Sequence, residues 1–588
     1  DFALELAVAA APAPLRAQGD TSRAAARDTS GMKGMSMPGM PGMQMDGGDA
    51  GMQSMPGMGP GAPPMPKGMV MQPIPGMEHV SPNTDVFLPG AGVDPSTIPA
   101  AVPMKVAQLA DGDTLDLTAM LVRRTLRGKT YTMYGFNGQY PGPLIRVKQN
   151  ATIVVRYTNK LTLPSSVHWH GVRLDNRYDG AVGVTQDAVP PGGQFVYHVH
   201  FVDAGLYWYH PHVREDIEQG LGLFGNMLVD SPDPDYYSPV NKEEMLLLDD
   251  LLIDAHGLFP FGKQAADFAI MGRFGNLFLV NGEPDYHLTV NRGDVVRFYV
   301  TNVSNARMYN LGVGGAALKL VGADLGNYEH EVRVPNVVIA PAQRYIVEAR
   351  FDTAGTFLLT NRVQGLNNFM GVFVPEIDTL GTITVSPTRA TPDYGKQFNT
   401  LRTNAKVTAD IERYRRYFAK PPDKNLLLTI NIQGLAIPLT AFMSVDTMYY
   451  PPAEWVDGMP DMNWAATSKE VHWIMRDLDT GKENMAIDTW NFRQGDVVKI
   501  RITNDAQSMH PMSHPIHFHG QRFLVIARNG VPQTNLVWRD TAIIPVGATV
   551  DILLEASNPG KWMAHCHIAE HLESGMHMVF TVSPASGS

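Results

Sequence analysis

Four pairs of histidines, each separated by one residue, punctuate the chain: His168-Trp169-His170, His210-Pro211-His212, His517-Phe518-His519 and His565-Cys566-His567. On an extended strand, residues i and i+2 project from one face and i+1 from the other. In the last triplet both imidazoles can therefore face one metal cluster while the sulfur of Cys566 faces a different metal. Cys566 also opens a Cys-x4-His-x4-Met pattern completed by His571 and Met576, and His514 precedes His517 by three. A thiolate, two imidazoles and a long axial thioether form a blue-copper electron-transfer site. The eight remaining imidazoles are enough for a cluster of three more copper ions, four in all. One covalent path, through Cys566 and its neighbours, would join the two centres.

Composition narrows what else the chain can be. It has 588 residues, 18% charged, with a formal charge of −11 and a single Cys. One Cys excludes an intramolecular disulfide, CxxC redox pairs, Cys-rich zinc sites and iron–sulfur clusters. The acidic balance gives no general attraction to nucleic acid or to an anionic membrane surface. No uninterrupted apolar run reaches the ~18–20 residues of a membrane span; the best, Met245 to Leu252, is broken by Asp249 and Asp250. At roughly 100–200 residues per domain, the length suggests three or four domains.

Internal repeats supply the scaffold for the histidines. Asn150 to Asn159, Gly293 to Asn302 and Gly495 to Asn504 are three copies of one ten-residue pattern. Each has a turn residue, a β-rich stretch and a closing Thr-Asn, which reads as a strand. A second repeat follows each: Gly205 leads to His210-Pro211-His212, Gly355 to Thr360-Asn361-Arg362, and Gly560 to His565-Cys566-His567, all at the same offsets. Three copies of a many-stranded unit with Gly/Pro turns imply three tandem β-sandwich domains, an all-β chain. The expected boundaries are 86–235, 236–400 and 425–588, with 401–424 as a linker. The middle copy has no ligands at the triplet, and Tyr309-Asn310-Leu311-Gly312 looks like its counterpart of His168-Trp169-His170-Gly171.

Taken in order, HWHG, HPH, HPIHFHG and HCHIAEHLESGM resemble the four copper-binding motifs of the three-domain multicopper oxidases, the laccase-like group. The resemblance covers the chain from about residue 86 to 588. It implies cupredoxin-like Greek-key domains, with type 1 copper on His514, Cys566, His571 and Met576. It also implies type 2 copper on His168 and His517. The type 3 pair would be held by His170, His210 and His567 on one ion and by His212, His519 and His565 on the other. The family takes single electrons at type 1 copper and reduces O2 to water at the trinuclear cluster. Asp179, eleven residues after His168, matches an Asp that orients the type 2 region and helps to supply protons. Where relatives often carry a proton-supplying acid, this chain has Leu572 and Ala569; Glu570 or Glu573 is the candidate substitute.

Other features have plainer readings. His198-Val199-His200 has the right spacing, but the repeats place it on an ordinary strand. His510 and His577 sit off the motif positions. Met576 at the axial position implies a modest potential, which disfavours a high-potential fungal-type laccase. Two reductant classes remain: phenols and aromatic amines, or Cu(I). Cu(I) is favoured by 13 Met among Gly and Pro between Met32 and Met77, since thioether sulfur is a soft ligand and such a tail is expected to be disordered. Met509, Met512 and Met578 near the ligand loops add to this reading, as do Met443, Met448, Met459 and Met462, with Trp455 and Trp464 among them, as a possible lid. A non-catalytic copper-storage protein is the reading from another class. The Ala- and Leu-rich segment Phe2 to Pro14 reads as the remnant of a secretory signal, so a periplasmic or secreted location is expected.

Overall fold

The computed structural model describes residues 81–367, 372–435, 453–455 and 460–585. The Met-rich tail, the signal-like segment and Met443, Met448 and Met459 lie outside the described residues. Three pairs of β-sheets follow one another along the chain: four and five strands, then six and six, then six and five. Each pair closes over its own apolar core. A further core joins the first pair to the second, with Leu206 and Trp208 packed among Leu247, Tyr299 and Ile346. Among the described residues, no helix is long and apolar enough to cross a membrane.

The repeated segments occupy equivalent places. In the first sandwich they are β1 (Thr152–Asn159), β2 (His168–His170) and β3 (Gly205–His210). In the second they are β4 (Val295–Asn302), β5 (Tyr309–Val313) and β6 (Gly355–Asn367). In the third they are β7 (Val497–Asn504), β8 (His514–Phe518) and β9 (Gly560–Cys566). The asparagine closing β1, β4 and β7 does the same work each time. Asn159 Nδ2 donates to the carbonyls of Leu163 and Val189, Asn302 Nδ2 to those of Arg307 and Ile339, and Asn504 Nδ2 to those of Met512 and Ile544. Each brace ties the chain that follows the strand to a second loop, so two buried carbonyls are satisfied by one side chain. The glycines opening β3, β6 and β9 share a positive φ of 159°, 149° and 149°, a conformation that other residues rarely adopt.

Strand pairing corrects one equivalence. His168 lies opposite His210, and His517 opposite His565. In the middle sandwich the residue opposite Thr360 is Gly312, so Gly312 occupies the place of those histidines and Tyr309 lies three residues earlier. Matching the glycines of the two motifs is misleading because ladder register, not a shared Gly, sets which side chains face the neighbouring strand.

Part of the 401–424 segment is helical. α2 (Ala405–Arg415) follows α1 (Glu215–Glu218) and precedes α3 (Ala569–Glu573) in the chain. Its Val407, Ile411 and Tyr414 share one face and pack against residues of both the first and third sandwiches, Trp538 and Leu553 among them.

Candidate metal centre

The histidine pairs of the first and third sandwiches meet across their interface. His168 stacks on His519 with ring centroids 4.0 Å apart, and His170 stacks on His517 at 3.7 Å. Ring nitrogens then converge in three sets: His168, His170 and His517; His170, His210 and His567; and His212, His519 and His565. Within each set the atoms lie within 4.8 Å of one another. His519 Nε2 is 3.0 Å from His565 Nε2 and 3.3 Å from His212 Nε2, and His210 Nε2 is 3.3 Å from His567 Nε2.

The opposite nitrogens are occupied, and this sets the tautomers. His168 Nδ1–H donates to the carbonyl of Asp179 at 2.7 Å, and His517 Nδ1–H to that of Asp540 at 2.9 Å. His210 and His565 each donate Nδ1–H to the carbonyl of the next residue, Pro211 or Cys566. His519 Nδ1–H donates to Asp179 Oδ2 at 2.8 Å. With the proton held on Nδ1, the Nε2 lone pair is free for a metal. Burial lowers the pKa of His170, His210, His212, His517, His519, His565 and His567, so these rings are neutral donors. His168 Nε2, His170 Nδ1 and His517 Nε2 are buried without a hydrogen-bond partner. Buried lone pairs aimed at one another, with no proton donor among them, are what a cation would satisfy.

A second group lies on the other side of β9. His514 Nδ1, Cys566 Sγ and His571 Nδ1 are mutually 3.3–3.8 Å apart. The Cys566 N–H donates to the carbonyl of Met576, which is fully buried in the surrounding core. Burial pushes the Cys566 thiol pKa up, so a thiolate here needs a bound cation. Burial, with His510 adding to it, lowers His514 to about 3. Trp473 stacks on His571 at 4.1 Å, and His571 Nε2–H donates to the carbonyl of Ile270 at 3.2 Å. Neutral imidazoles beside a buried sulfur suit copper, and hard oxygen-seeking cations fit poorly.

Comparison with known proteins agrees with this geometry. Family models described as "Multicopper oxidase" match residues 120–234, 241–374 and 459–586. The chain belongs to the multicopper oxidase family. This multicopper oxidase is 27% identical to dihydrogeodin oxidase of Aspergillus terreus, over 80% of this chain and 83% of that protein. It is 26% identical to L-ascorbate oxidase of Cucurbita pepo var. melopepo, over 76% and 90%. It is likewise 26% identical to the multicopper oxidase MmcO of Mycobacterium tuberculosis, over 79% and 86%. Its fold resembles the multicopper oxidase of Campylobacter jejuni, with a TM-score of 0.63, 21% identity and coverage of 86% and 99%. That of Pseudomonas thermotolerans gives 0.59, with 24% identity and coverage of 81% and 100%. The three sandwiches are thus cupredoxin-like, and this multicopper oxidase is an oxidoreductase that uses O2.

The candidate acids lie on α3 of this multicopper oxidase. Glu570 Oε1 accepts from Asn305 Nδ2 at 3.0 Å, and burial pushes its pKa up to about 8. Glu573 Oε1 accepts from the Glu215 N–H, and burial with Asp216 nearby pushes it up to about 7. Sequence reasoning missed Glu215, which is fully buried with Oε1 3.4 Å from His212 Nδ1. Its place three residues after His212 was an available signal. Trp473, Ile270, Asp540 and Arg344 were missed as well, and no motif marks them. His198 and His200 lie on an outer strand, His200 Nδ1 2.9 Å from Thr152 Oγ1. Met512 and Met578 are core side chains and Met509 is exposed. Trp464 meets Phe259 edge-on at 5.6 Å.

Proposed function

We propose that this multicopper oxidase takes single electrons from a reducing substrate near His571 and uses them to reduce O2 to water at the eight-histidine cluster. The observation that carries this reading is the position of Cys566. Its sulfur belongs to the group with His514 and His571, while its sequence neighbours His565 and His567 belong to the histidine sets. Two short covalent paths therefore run from one donor group to the other.

His514, Cys566, His571 and Met576 would hold type 1 copper, and His168 and His517 type 2 copper. The sets His170, His210, His567 and His212, His519, His565 would hold the type 3 pair. Bound copper supplies one-electron oxidation at the first site and O2 reduction at the second. The protein's part is to bury the ligand imidazoles, to hold ring nitrogens from behind by hydrogen bonds and to exclude bulk water. Glu215 of α1 sets a buried carboxyl group behind His212, and Glu573 of α3, which accepts from the Glu215 N–H, and Glu570 on the same helix add two more. These carboxyls, with Asp179, supply protons to the cluster.

Cu(I) is the favoured reductant, with phenols and aromatic amines as the second reading. The capping of His571 by Ile270 supports Cu(I), because a phenol cannot accept a hydrogen bond from an Nε2–H that is already engaged. The Met-rich tail supports it too, as a soft-ligand arm that gathers the ion. The signal-like segment supports a periplasmic or secreted location and a role in copper homeostasis. The discriminating variant is Cys566→Ser: blue colour and turnover should both vanish. A colourless variant that still reduces O2 from a phenol would remove Cys566 from the electron path.

A further inference from the structure

We propose that Asp540, clamped by Arg344 of the middle domain, is a positioning residue for the histidine cluster and the third-domain counterpart of Asp179. This rests on the copper reading given above. The two aspartates make matching contacts in opposite directions. Asp179, in the first domain, accepts from His168 of its own domain through its main-chain carbonyl and from His519 of the third domain through its carboxylate. Asp540, in the third domain, accepts from His517 of its own domain through its carbonyl, and its Oδ1 lies 3.1 Å from His170 Nε2 of the first domain. Each aspartate thus fixes one ring by backbone and one ring across the interface by side chain. Together they strap the two halves of the cluster to each other.

Three further contacts make the Asp540 strap rigid. Thr541 Oγ1 donates to Asp540 Oδ1 at 2.9 Å. Arg344 Nη1 donates to Oδ1 at 2.7 Å and Nη2 to Oδ2, a two-pronged ion pair with both partners fully buried. Arg344 Nε also donates to the carbonyl of Leu206 in the first domain at 3.0 Å, so one guanidinium touches all three domains. Burial works against charge on Asp540, but Arg344 and then His170 hold its pKa well below the usual carboxylate range.

The motif glycine Gly171 fits the same picture. At a φ of +84°, a Cβ there would stand 2.4 Å from Asp540 Oδ2 and 2.9 Å from Arg344 Nη2. The pair occupies the space that a side chain after His170 would take. With Nε2 of His170 facing Asp540, its unpartnered Nδ1 is left as the ligand atom. The ligand-free middle domain thereby gains a role, which is to hold a ligand of the cluster in one tautomer through Arg344 and Asp540.

The test is copper retention in the full-length, copper-loaded protein under chelator challenge. The cluster is followed by electron paramagnetic resonance and copper content, and the sulfur site by its blue absorption. The double variant Asp540→Asn with Arg344→Met removes both charges of the pair together, and the buried Asp324, which Arg344 faces at 3.5 Å, keeps Arg539 at 3.7 Å. It is expected to release cluster copper about 10–100-fold more readily than wild type, with blue absorption preserved. Asp179→Asn is expected to show the same pattern, and Arg344→Lys an intermediate one. If the double variant does not accumulate, Thr541→Val is read in the same way, with a smaller effect expected. Wild-type retention in whichever variant folds, or parallel loss of the blue and cluster signals, overturns the proposal. A wild-type protein that takes up no copper at the histidines would instead overturn the parent reading.

Discussion

His571 donates its Nε2–H to the main-chain carbonyl of Ile270, 3.2 Å away, in a loop that comes before the third domain in the chain. Its other nitrogen faces Cys566 and His514, and Trp473 covers one face of the ring. A reductant therefore meets protein before it meets this imidazole. Ile270 is itself fully buried in the core around Cys566. Ile270→Ala should cost about 2–5 kcal/mol of stability and loosen the cap. We expect kcat/KM for a phenol to rise several-fold while that for Cu(I) changes little. A parallel fall in both would show that the cap does not govern access.

Met576→Leu should leave copper content and blue colour intact and raise the reduction potential of the sulfur site, because the axial ligand tunes it. Potentiometric titration of the blue band reads this directly. An unchanged potential would mean that Met576 is a core side chain and not a ligand.

Glu570 offers a test by pH. Burial raises its carboxyl from 4.5 to about 8, so the folded chain holds a proton that the unfolded chain gives up at much lower pH. Its contribution to stability is then complete below pH 4.5 and is lost as pH rises toward about 8. Glu573, raised to about 7, works in the same direction. The melting temperature of the copper-free protein should fall across this window more steeply in wild type than in Glu570→Gln. The same variant, loaded with copper, should keep its blue colour but turn over more slowly, as expected of a proton-supplying group. Equal slopes would remove Glu570 from the raised-acid set.

The donor residues were legible because their signal is local. An i, i+2 spacing on a strand, a Cys-x4-His-x4-Met loop and a repeated Thr-Asn each depend on neighbours in the chain. The residues behind the ligands were not legible. Asp540 reaches His170 across 370 positions and Arg344 reaches Asp540 across 196, and nothing near either residue announces the partner. Ile270 acts through its main chain, which no side-chain pattern records. Helix α2 is a different case: Val407, Ile411 and Tyr414 carry helical spacing within the 401–424 stretch, whose polar, basic composition suggests a linker. The Tyr309 equivalence failed because a glycine match says nothing about ladder register.

Removing residues 1–80 tests the proposed copper-gathering arm. We expect kcat/KM for Cu(I) to fall and that for a phenol to stay nearly constant. Equal loss of both, or loss of neither, would count against a role in Cu(I) delivery.

The most direct measurement is oxygen uptake by the copper-loaded protein against a one-electron donor, with hydrogen peroxide assayed in the same vessel. We expect catalytic uptake with four donor equivalents consumed per O2, no peroxide released, and loss of all uptake in Cys566→Ser. Copper bound at these residues with no catalytic oxygen uptake would contradict the oxidase reading and leave a copper-storage protein in its place.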